Sequence, residues 1–281
     1  MNKFRELMLN SMSEGGCHPI FLSGGIDSAT ILAASLVLGW KPLCITFHLD
    51  EESDDARIAK SMAETFNCEI EVIKISSDIE TLKRDVETII DMGTIRKTYI
   101  QCMQPFLYMV PELKKRGYDT GYWGMGSGDL VGDSREAYFA HHRSVVEWNK
   151  KRRKDSYIIQ NDPIKTSDGW IMLKLKKYYD FNILDPYHNT PLKEYVLERT
   201  FEEIHKPKNK ILHIDAFPHF WNTNKLWYRR HANMQINSGI REWHDNLLDL
   251  PQYKMLQSKS VTKIYNHMKK EENSLERFIN E

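Results

Sequence analysis

One hexapeptide constrains this chain more than any other feature. The run 23–28, Ser-Gly-Gly-Ile-Asp-Ser, follows a short apolar segment that ends at Leu22 and precedes an apolar helical stretch, residues 29–38. A strand, a glycine turn and a helix N-terminus in succession form a pocket of N–H groups, to which the helix dipole adds partial positive charge. Gly24 and Gly25 let a phosphate approach the backbone without meeting a Cβ atom. The pattern therefore predicts an anion-binding loop.

The side chains of this loop carry the chemistry of a phosphate site. Ser23 and Ser28 supply hydroxyl donors, and Asp27 supplies a carboxylate that suits Mg²⁺ bound to phosphate oxygens. The Walker A pattern Gly-x-x-x-x-Gly-Lys-Ser/Thr occurs nowhere in the chain. The alternative is a glycine–serine turn that only caps a helix. The position of residues 23–28 between a predicted strand and a predicted helix favours the interpretation as an anion-binding loop.

The first half of the chain alternates short apolar segments with stretches of helical periodicity. The predicted strands are 20–22, 43–47, 69–75 and 118–123. Because strands that alternate with helices connect by right-handed crossovers, we predict an α/β fold with a doubly wound parallel sheet. In such a sheet ligands bind beyond the carboxyl ends of the strands, which is where the hexapeptide would lie.

The character of the sequence changes after Ala140. A basic run at 150–154, interpreted as a solvated loop, is followed by turn signals, and from Phe181 onward the chain reads as helices with proline-marked joints. We therefore predict two parts. Residues 1–145 would form a nucleotide-binding core, and residues 146–281 a mostly helical C-terminal part that completes the substrate site.

Composition narrows the classes of partner and site. Lysine plus arginine and aspartate plus glutamate number 39 each, so bulk charge indicates neither nucleic acid nor a membrane surface as a partner. The chain has no apolar run long enough to cross a bilayer. Its four cysteines form no Cys-x-x-Cys pair, and Cys44 and Cys68 are expected to be buried, inert thiols. We expect a protein of the reducing cytoplasm.

A second glycine-rich segment, residues 124–133, also follows a predicted strand. By the same strand-then-loop order, it should lie at the same edge of the sheet as the first loop. The backbone at Gly124 can approach a nucleotide closely. Asp129 or Asp133 could supply, beside Asp27, a second carboxylate for Mg²⁺. The alternative is a flexible surface loop.

Together these segments resemble the synthetase domain of asparagine synthetases and β-lactam synthetases, in the ATP pyrophosphatase superfamily. The hexapeptide is similar to the pyrophosphate loop of that superfamily, and residues 124–133 are similar to a Gly-Glu-Gly-x-Asp-Glu-x-x-Gly-Gly loop. Four further segments are similar to motifs of the family. They are residues 54–59, similar to an Asp-x-x-x-Ala helix; 184–187, similar to a Pro-Phe-Leu-Asp segment; 210–217, similar to a Lys-x-x-Leu-Arg-x-Ala helix; and 228–239, similar to a late basic segment. The resemblance covers about residues 18–243, in order.

The resemblance implies an adenine nucleotide alpha hydrolase-like fold and an ATP-dependent synthetase that forms AMP and pyrophosphate. In such an enzyme ATP adenylates a carboxylate or amide oxygen, and ammonia or an amine then displaces AMP. The implied partners are a small-molecule carboxylate and ammonia or an amine, with no membrane. A homo-oligomer or a separate amine-supplying partner stays open, and so does a nucleic-acid or nucleotide acceptor, because residues 217–243 interleave aromatics with arginines.

The resemblance also assigns roles to particular residues. The residues expected to contact ATP are Leu22, Ser23, Gly24, Gly25, Asp27, Ser28, Phe47 and Gly124. Asp27, together with Asp129, is expected to hold Mg²⁺ and to take part in catalysis. Arg230, or its neighbour Arg229, is expected to stabilise the reacting phosphates.

The chain departs from the family pattern at several positions. Without a gap, the family's metal-binding aspartate falls on Gly128, one place before Asp129, and an acidic residue of its second loop falls on Met125. The family's late lysine falls near Arg230 or His231. The N-terminal glutamine-hydrolysing domain of asparagine synthetases is not expected here, so we expect no glutaminase activity from this polypeptide.

Three alternatives stay open. An NAD synthetase-like enzyme would share the hexapeptide, but the Gly-Thr-Gly-Asn-Lys-like loop expected of it is absent. A nucleotide- or base-modifying pyrophosphatase commonly needs paired cysteines or a metal tetrad, which the sequence lacks. A catalytically degenerate ATP-binding subunit would explain Met125 and Gly128, but it would not explain an intact first loop.

Overall fold

The described part of the chain is built on a sheet of five strands. The computed structural model describes residues 2–49, 53–94, 97–131, 167–228 and 234–245. The strands are β1 (Ile20–Phe21), β2 (Cys44–His48), β3 (Ile70–Lys74), β4 (Thr120–Tyr122) and β5 (Asn182–Leu184). Their order is β3-β2-β1-β4-β5, and each neighbouring pair is parallel. Ile20 at the start of β1 pairs with Cys44 on one side and Tyr122 on the other.

Helices connect and follow these strands. Those before β5 are α1 (Lys3–Gly15), α2 (Ile26–Val37), α3 (Asp54–Thr65), α4 (Ile79–Asp91), α5 (Lys97–Met103), α6 (Phe106–Lys115), α7 (Gly126–Val131) and α8 (Ser167–Tyr179). Those after β5 are α9 (Thr190–Leu197), α10 (Phe201–His205), α11 (Ile211–Ala216), α12 (Pro218–Thr223), α13 (Met234–Asn237) and α14 (Ile240–Asp245). Short 3₁₀ turns lie at Pro186–His188 and Lys225–Trp227.

Helices cover both faces of the sheet. Successive side chains of a strand point to opposite faces, and the two hydrophobic clusters follow this alternation. Phe21 and Ile45 pack in a cluster with buried residues of α4, α5, α6, α8 and α14. Ile20 and Cys44 pack in the other cluster, with α1, α2, α3 and the helices α7 and α9 to α12. The predicted doubly wound parallel α/β sheet is therefore confirmed.

The last strand corrects one expectation from the sequence. The chain from Phe181 onward was expected to be helical, but Asn182–Leu184 forms β5 and pairs with β4 at the edge of the sheet. Ile183 is 7 % exposed and lies opposite Gly121. A strand of three residues is too short to show a period of two, so its pairing with β4 decides its conformation.

The aromatic residues near the C-terminal end of the described chain belong to the core. Those that are less than 7 % exposed are Phe217, Phe220, Trp221, Trp227 and Trp243. Buried rings cannot stack on the bases of a nucleic acid, so this pattern reflects packing. A nucleic-acid or nucleotide acceptor stays a prediction without support from these side chains.

Two neighbouring cysteines differ in the pKa of their thiols. Cys44 is fully buried and Cys68 is 6 % exposed, as expected, and both are free thiols. A hydrogen bond from Cys44 lowers the pKa of Cys68 to about 7, with help from the Lys41 ammonium and against the effect of burial. The same contact and burial raise the pKa of Cys44. The expected burial of both thiols is confirmed, and their reactivity stays a prediction.

The predicted boundary near residue 145 and the basic run at 150–154 lie outside the described residues. The division into residues 1–145 and 146–281 stays a prediction. In the part of the chain that the structure describes, no helix is long and apolar enough to cross a membrane.

Candidate functional site

The hexapeptide joins the carboxyl end of β1 to the start of α2. Gly25 is the N-cap of α2 and makes no side-chain capping bond, whereas Ser53 and Asp78 at the N-caps of α3 and α4 each accept a hydrogen bond from a first-turn N–H group. The first N–H groups of a helix have no acceptor within the helix. At α2 they are therefore available to an anion, at the positive end of the helix dipole.

Gly24 determines the path of the loop. Its φ is +72°, and a Cβ atom there would lie 2.5 Å from the backbone oxygen of Asp55 in α3. Only glycine both adopts a positive φ readily and has no Cβ atom that would meet Asp55. The loop then closes on itself, because the hydroxyl oxygens of Ser23 and Ser28 are 3.0 Å apart and the Ser23 N–H donates to Ser28 Oγ at 3.1 Å.

The second glycine-rich loop touches the first. A Cβ atom on Gly124 would lie 2.8 Å from the backbone nitrogen of Ser28 and 2.9 Å from the carbonyl carbon of Asp27. Ser127 in α7 donates from its hydroxyl to Asp27 Oδ1 at 2.7 Å. The structure thus brings the two loops together at one edge of the sheet, where the order of strands and loops predicted them.

The Asp27 carboxylate is the centre of the site. Lys210 Nζ donates to Asp27 Oδ1 at 2.9 Å and to Oδ2 at 2.8 Å. His213 Nε2 lies 3.1 Å from Ser127 Oγ and 3.7 Å from Asp27 Oδ1. The side chain of Asp27 is 26 % exposed, whereas those of Lys210 and His213 are 7 % and 0 % exposed. The carboxylate therefore lies on the open side of the cluster, and the two basic side chains lie behind it.

The surroundings keep this carboxylate ionised. Burial acts to raise the pKa of Asp27, but the charge of Lys210 and the hydrogen bonds from Lys210 and Ser127 outweigh it and lower the pKa below its usual value. Burial lowers the pKa of His213 to about 3, so its ring is neutral near pH 7.

The hydrogen bonds also define the tautomer of His213. The single hydroxyl proton of Ser127 goes to Asp27, so His213 Nε2 carries the ring proton and donates it to Ser127 Oγ. His213 Nδ1 is then a bare acceptor, buried without a hydrogen-bond partner among the described residues. His213 consequently orients Ser127, and Ser127 orients the carboxylate.

A second carboxylate, that of Asp185, stabilises the backbone around the site. Asp185 Oδ2 accepts from the Gly126 N–H at 2.9 Å and from Trp123 Nε1 at 3.0 Å, and Oδ1 accepts from the Tyr187 N–H at 3.0 Å. The Tyr187 hydroxyl donates to the backbone oxygen of Asp27 at 2.8 Å. Burial raises the pKa of Asp185, whose side chain is only 1 % exposed. Asp185 therefore connects the two loops and does not face solvent.

The sequence model of asparagine synthase matches residues 16–181, more than half of the chain. The protein belongs to the asparagine synthase family. It is therefore a ligase-type enzyme of a family that uses ATP. The matched residues contain both glycine-rich loops and end before Lys210 and His213.

Other comparisons give little beyond the family. No curated protein matches the chain. Among solved structures, the chain is similar to the NMN synthetase from Francisella tularensis, with 13 % sequence identity over 82 % of this chain and 97 % of that one, and a TM-score of 0.36. A likeness this distant does not bear on activity.

The predicted ATP contacts divide into two groups. Ser23, Gly24, Gly25, Asp27, Ser28 and Gly124 lie together, as described above. Leu22 and Phe47 are 1 % and 8 % exposed and lie in the two hydrophobic clusters, and the Leu22 N–H already donates to the Ile45 oxygen at 2.8 Å. Their proposed place beside the adenine stays a prediction.

The structure gives no side-chain positions for several of the predicted site residues of this asparagine synthase family member. Asp133, Arg229 and Arg230 lie outside the described residues. Asp129 lies in α7, but the described part of the chain does not include its side chain. Their roles toward metal and phosphate stay predictions.

Sequence reasoning missed Lys210 and His213 as site residues. Both belong to the segment 210–217, which was matched to the family's Lys-x-x-Leu-Arg-x-Ala helix, but the phosphate-binding cation was sought at Arg230. The place of Lys210 as the first residue of that segment was the signal that could have found it. His213 falls where the family pattern has leucine, so no motif pointed to it.

The donors at this site suit a metal that is shared with phosphate. A carboxylate such as Asp27 is the ligand type that Mg²⁺ prefers, and one or two carboxylates with phosphate oxygens are commonly sufficient. Within the described ranges, no group of three or more histidine, cysteine, aspartate or glutamate side chains could hold a metal ion. A metal ion at Asp27 would therefore need the phosphate oxygens of a nucleotide as further ligands, and Mg²⁺ at this site stays a prediction.

Proposed function

We propose that this enzyme uses ATP to adenylate a small-molecule carboxylate, with release of pyrophosphate, and then transfers the acyl group to ammonia or an amine. The observation that carries the proposal is the ionised, partly exposed Asp27 carboxylate beside the uncapped N-terminus of α2. Nearby donors suit the triphosphate: the first-turn N–H groups of α2, and the hydroxyls of Ser23 and Ser28.

The residues of this chain would act mainly by binding the phosphates of ATP and by stabilising their negative charge. The α2 N-terminus and the glycine-rich loops would bind the β and γ phosphates and stabilise the negative charge of the departing pyrophosphate. When bound, Mg²⁺ supplies further neutralisation of that charge, with Asp27 and Asp129 as the residues that would hold it. Lys210, whose ammonium lies on Asp27, is a second cation within reach of the same phosphates.

The proposed reaction consists of two displacements. A carboxylate oxygen of the substrate attacks the α-phosphorus, so a P–O bond to that oxygen forms as the P–O bond to pyrophosphate breaks. The nitrogen of ammonia or an amine then attacks the acyl carbon, and the C–O bond to AMP breaks. The nitrogen loses a proton in this second step. In the first step the site must hold two anions, the substrate carboxylate and the triphosphate of ATP, close together and offset the repulsion between them.

Nucleotide product analysis tests the proposal. The enzyme would be incubated with ATP, Mg²⁺, a panel of carboxylates that begins with aspartate, and ammonium or small amines. We expect AMP and pyrophosphate with one carboxylate of the panel, and loss of both products in Asp27→Asn. Asp85→Asn is the matched control, because Asp85 is also a hydrogen-bonded aspartate of a helix but lies outside this site.

Other outcomes would overturn the proposal. ADP and phosphate, lost in the same Asp27→Asn variant, would exclude attack at the α-phosphorus. ATP binding without turnover on any carboxylate of the panel would favour the degenerate ATP-binding subunit.

We place the activity in the cytoplasm, on the grounds of the free cysteines Cys17, Cys44, Cys68 and Cys102. A separate protein that supplies the amine is part of the same proposal.

A further inference from the structure

The ammonium of Lys210 lies between the two carboxylate oxygens of Asp27. Its Nζ atom is within 2.9 Å of both carboxylate oxygens, in the bidentate arrangement that a cation adopts on a carboxylate. Ser127 donates to Oδ1 as well. While the ammonium stays, a divalent cation on the same oxygens is disfavoured, because two cations on one carboxylate repel each other in a partly buried site.

The backbone of Lys210 is anchored, whereas its head group has a flexible stem. Lys210 is the N-cap of α11 with φ +53° and ψ +41°, a left-handed conformation that few residues other than glycine adopt. Its N–H donates to His205 Nδ1 at 3.3 Å, and His205 Nε2 donates to the Val131 oxygen at 2.9 Å. The four-carbon stem of lysine then allows the ammonium to move while the backbone stays in place.

We propose that Lys210 is a positioning residue that closes the metal position on Asp27 until a nucleotide arrives. In the nucleotide-free enzyme its ammonium excludes divalent cations from the carboxylate. When a metal–nucleotide complex binds, the ammonium would move from Asp27 to a phosphate oxygen, and the Asp27 carboxylate would then be available to hold the metal ion. The proposal rests on the proposed use of ATP, and it makes metal binding and nucleotide binding mutually dependent.

The first test measures metal binding without nucleotide and without turnover. Mn²⁺ is the probe, because the electron paramagnetic resonance signal of the free ion reports the bound fraction. We expect Lys210→Met, which retains the apolar stem, to bind Mn²⁺ at least tenfold more tightly than the unaltered protein. Lys210→Arg keeps a cation and should gain no site. The double variant Lys210→Met/Asp27→Asn should lose the site that Lys210→Met gained.

A second test uses the unaltered protein and so does not depend on the folding of any variant. We expect α,β-methylene-ATP, which cannot release pyrophosphate, to strengthen Mn²⁺ binding to the protein at least tenfold, after subtraction of the Mn²⁺ that the analogue binds in the absence of protein. In Lys210→Met the same analogue should strengthen it much less. Unaltered protein that binds Mn²⁺ equally well with and without the analogue would overturn the proposal. So would Lys210→Met that gains no Mn²⁺ site.

These measurements separate the two proposals. If the predicted Mn²⁺ behaviour is found but product analysis yields ADP, the role of Lys210 stands and the adenylation reaction does not. If AMP and pyrophosphate form but Lys210→Met binds Mn²⁺ no better than the unaltered protein, the reaction stands and the role of Lys210 is wrong.

Discussion

Asp27 and Asp85 are both hydrogen-bonded aspartates of helices, but their counter-charges lie in different places. At Asp27 the cation is the buried Lys210, with 7 % of its side chain exposed, and the carboxylate itself is 26 % exposed. At Asp85 the carboxylate is 4 % exposed and the cation, Arg84, is 63 % exposed. Tyr108 and Gln104 complete the Asp85 cluster, at distances between 2.7 and 3.1 Å.

This difference changes the chemistry of the same side chain. Burial raises the pKa of Asp85 and its hydrogen bonds do not fully offset this, since water screens the charge of Arg84. Burial also acts on Asp27, but the protein shields Lys210 from water and the pKa falls. A buried cation behind an open carboxylate suits a binding site, whereas a shielded carboxylate with an exposed cation suits a structural contact between helices.

The largest expected difference is between Asp27→Asn and Asp85→Asn. Asp27→Asn should lower the rate of AMP formation on the order of 1000-fold, because it removes the charge that organises the phosphate site. It should also destabilise the protein by about 3 kcal/mol, since the Lys210 ammonium is left buried without its carboxylate. Asp85→Asn should leave the rate within about twofold. Similar losses of activity in the two variants would contradict the distinction drawn between the clusters.

Gly124→Ala should give the next largest effect. Its methyl group would meet the backbone of Ser28, so the two loops must separate, and a misplacement of about 1 Å can lower a rate on the order of 100-fold. Gly39→Ala is the control: its φ is +79°, and no atom lies within 4 Å of the added Cβ. It should cost about 1 kcal/mol of stability through its backbone conformation and leave the rate unchanged. Steady-state kinetics and urea denaturation distinguish the two effects.

Each cluster also contains a buried histidine, and this predicts a dependence of stability on pH. Burial lowers the pKa of both His213 and His244 to about 3. The unfolded chain, with pKa values near 6.5, takes up protons as the pH falls below 6.5, whereas the folded protein does not. The free energy of unfolding should therefore fall between pH 6.5 and pH 3.

The variant His244→Asn tests this explanation at the Asp85 cluster. His244 Nε2 lies 2.7 Å from Gln104 Oε1, which connects it to Asp85. Loss of its titration should reduce the pH slope of stability by at most about 1.4 kcal/mol per pH unit. Urea denaturation at a series of pH values between 4 and 6 gives the slope. An unchanged slope would mean that His244 does not titrate as proposed.

Tyr108→Phe should have the smallest effect. Its hydroxyl lies 2.7 and 2.9 Å from the two oxygens of Asp85, so the variant removes one donor to a buried carboxylate and should cost about 1 to 2 kcal/mol. The rate of AMP formation should not change. A lowered rate at normal stability would place the Asp85 cluster in the functional machinery and remove the distinction between the two regions.

Parts of the site could be predicted because their signals are local. Ser23, Gly24, Gly25, Asp27 and Ser28 are contiguous and lie between a strand and a helix, so their role could be inferred without knowing the fold. The meeting of this loop with Gly124 also followed from the order of strands, since loops after parallel strands share one edge of the sheet.

No pattern of this kind pointed to His213, and the only sequence signal for Lys210 was its place as the first residue of segment 210–217. Lys210 contacts Asp27 across a separation of 183 residues, and neither side chain forms part of a regular hydrophobic repeat. The same limit applies to Cys44 and Cys68, which looked unrelated in sequence and proved to be neighbours. Contacts of this kind depend on which helices pack on which face of the sheet.

The sequence by itself determined the glycine-rich loop between a strand and a helix, the parallel α/β class and the edge of the sheet where the two loops lie. Each follows from short-range patterns, in which glycine turns, helix starts and alternating apolar segments act within a few residues. Only the tertiary structure decided that α11 delivers a lysine and a histidine to Asp27, and that β5 completes the sheet. The physical reason is that burial and ion pairing are properties of the assembled core, where residues distant in sequence share one low-dielectric environment.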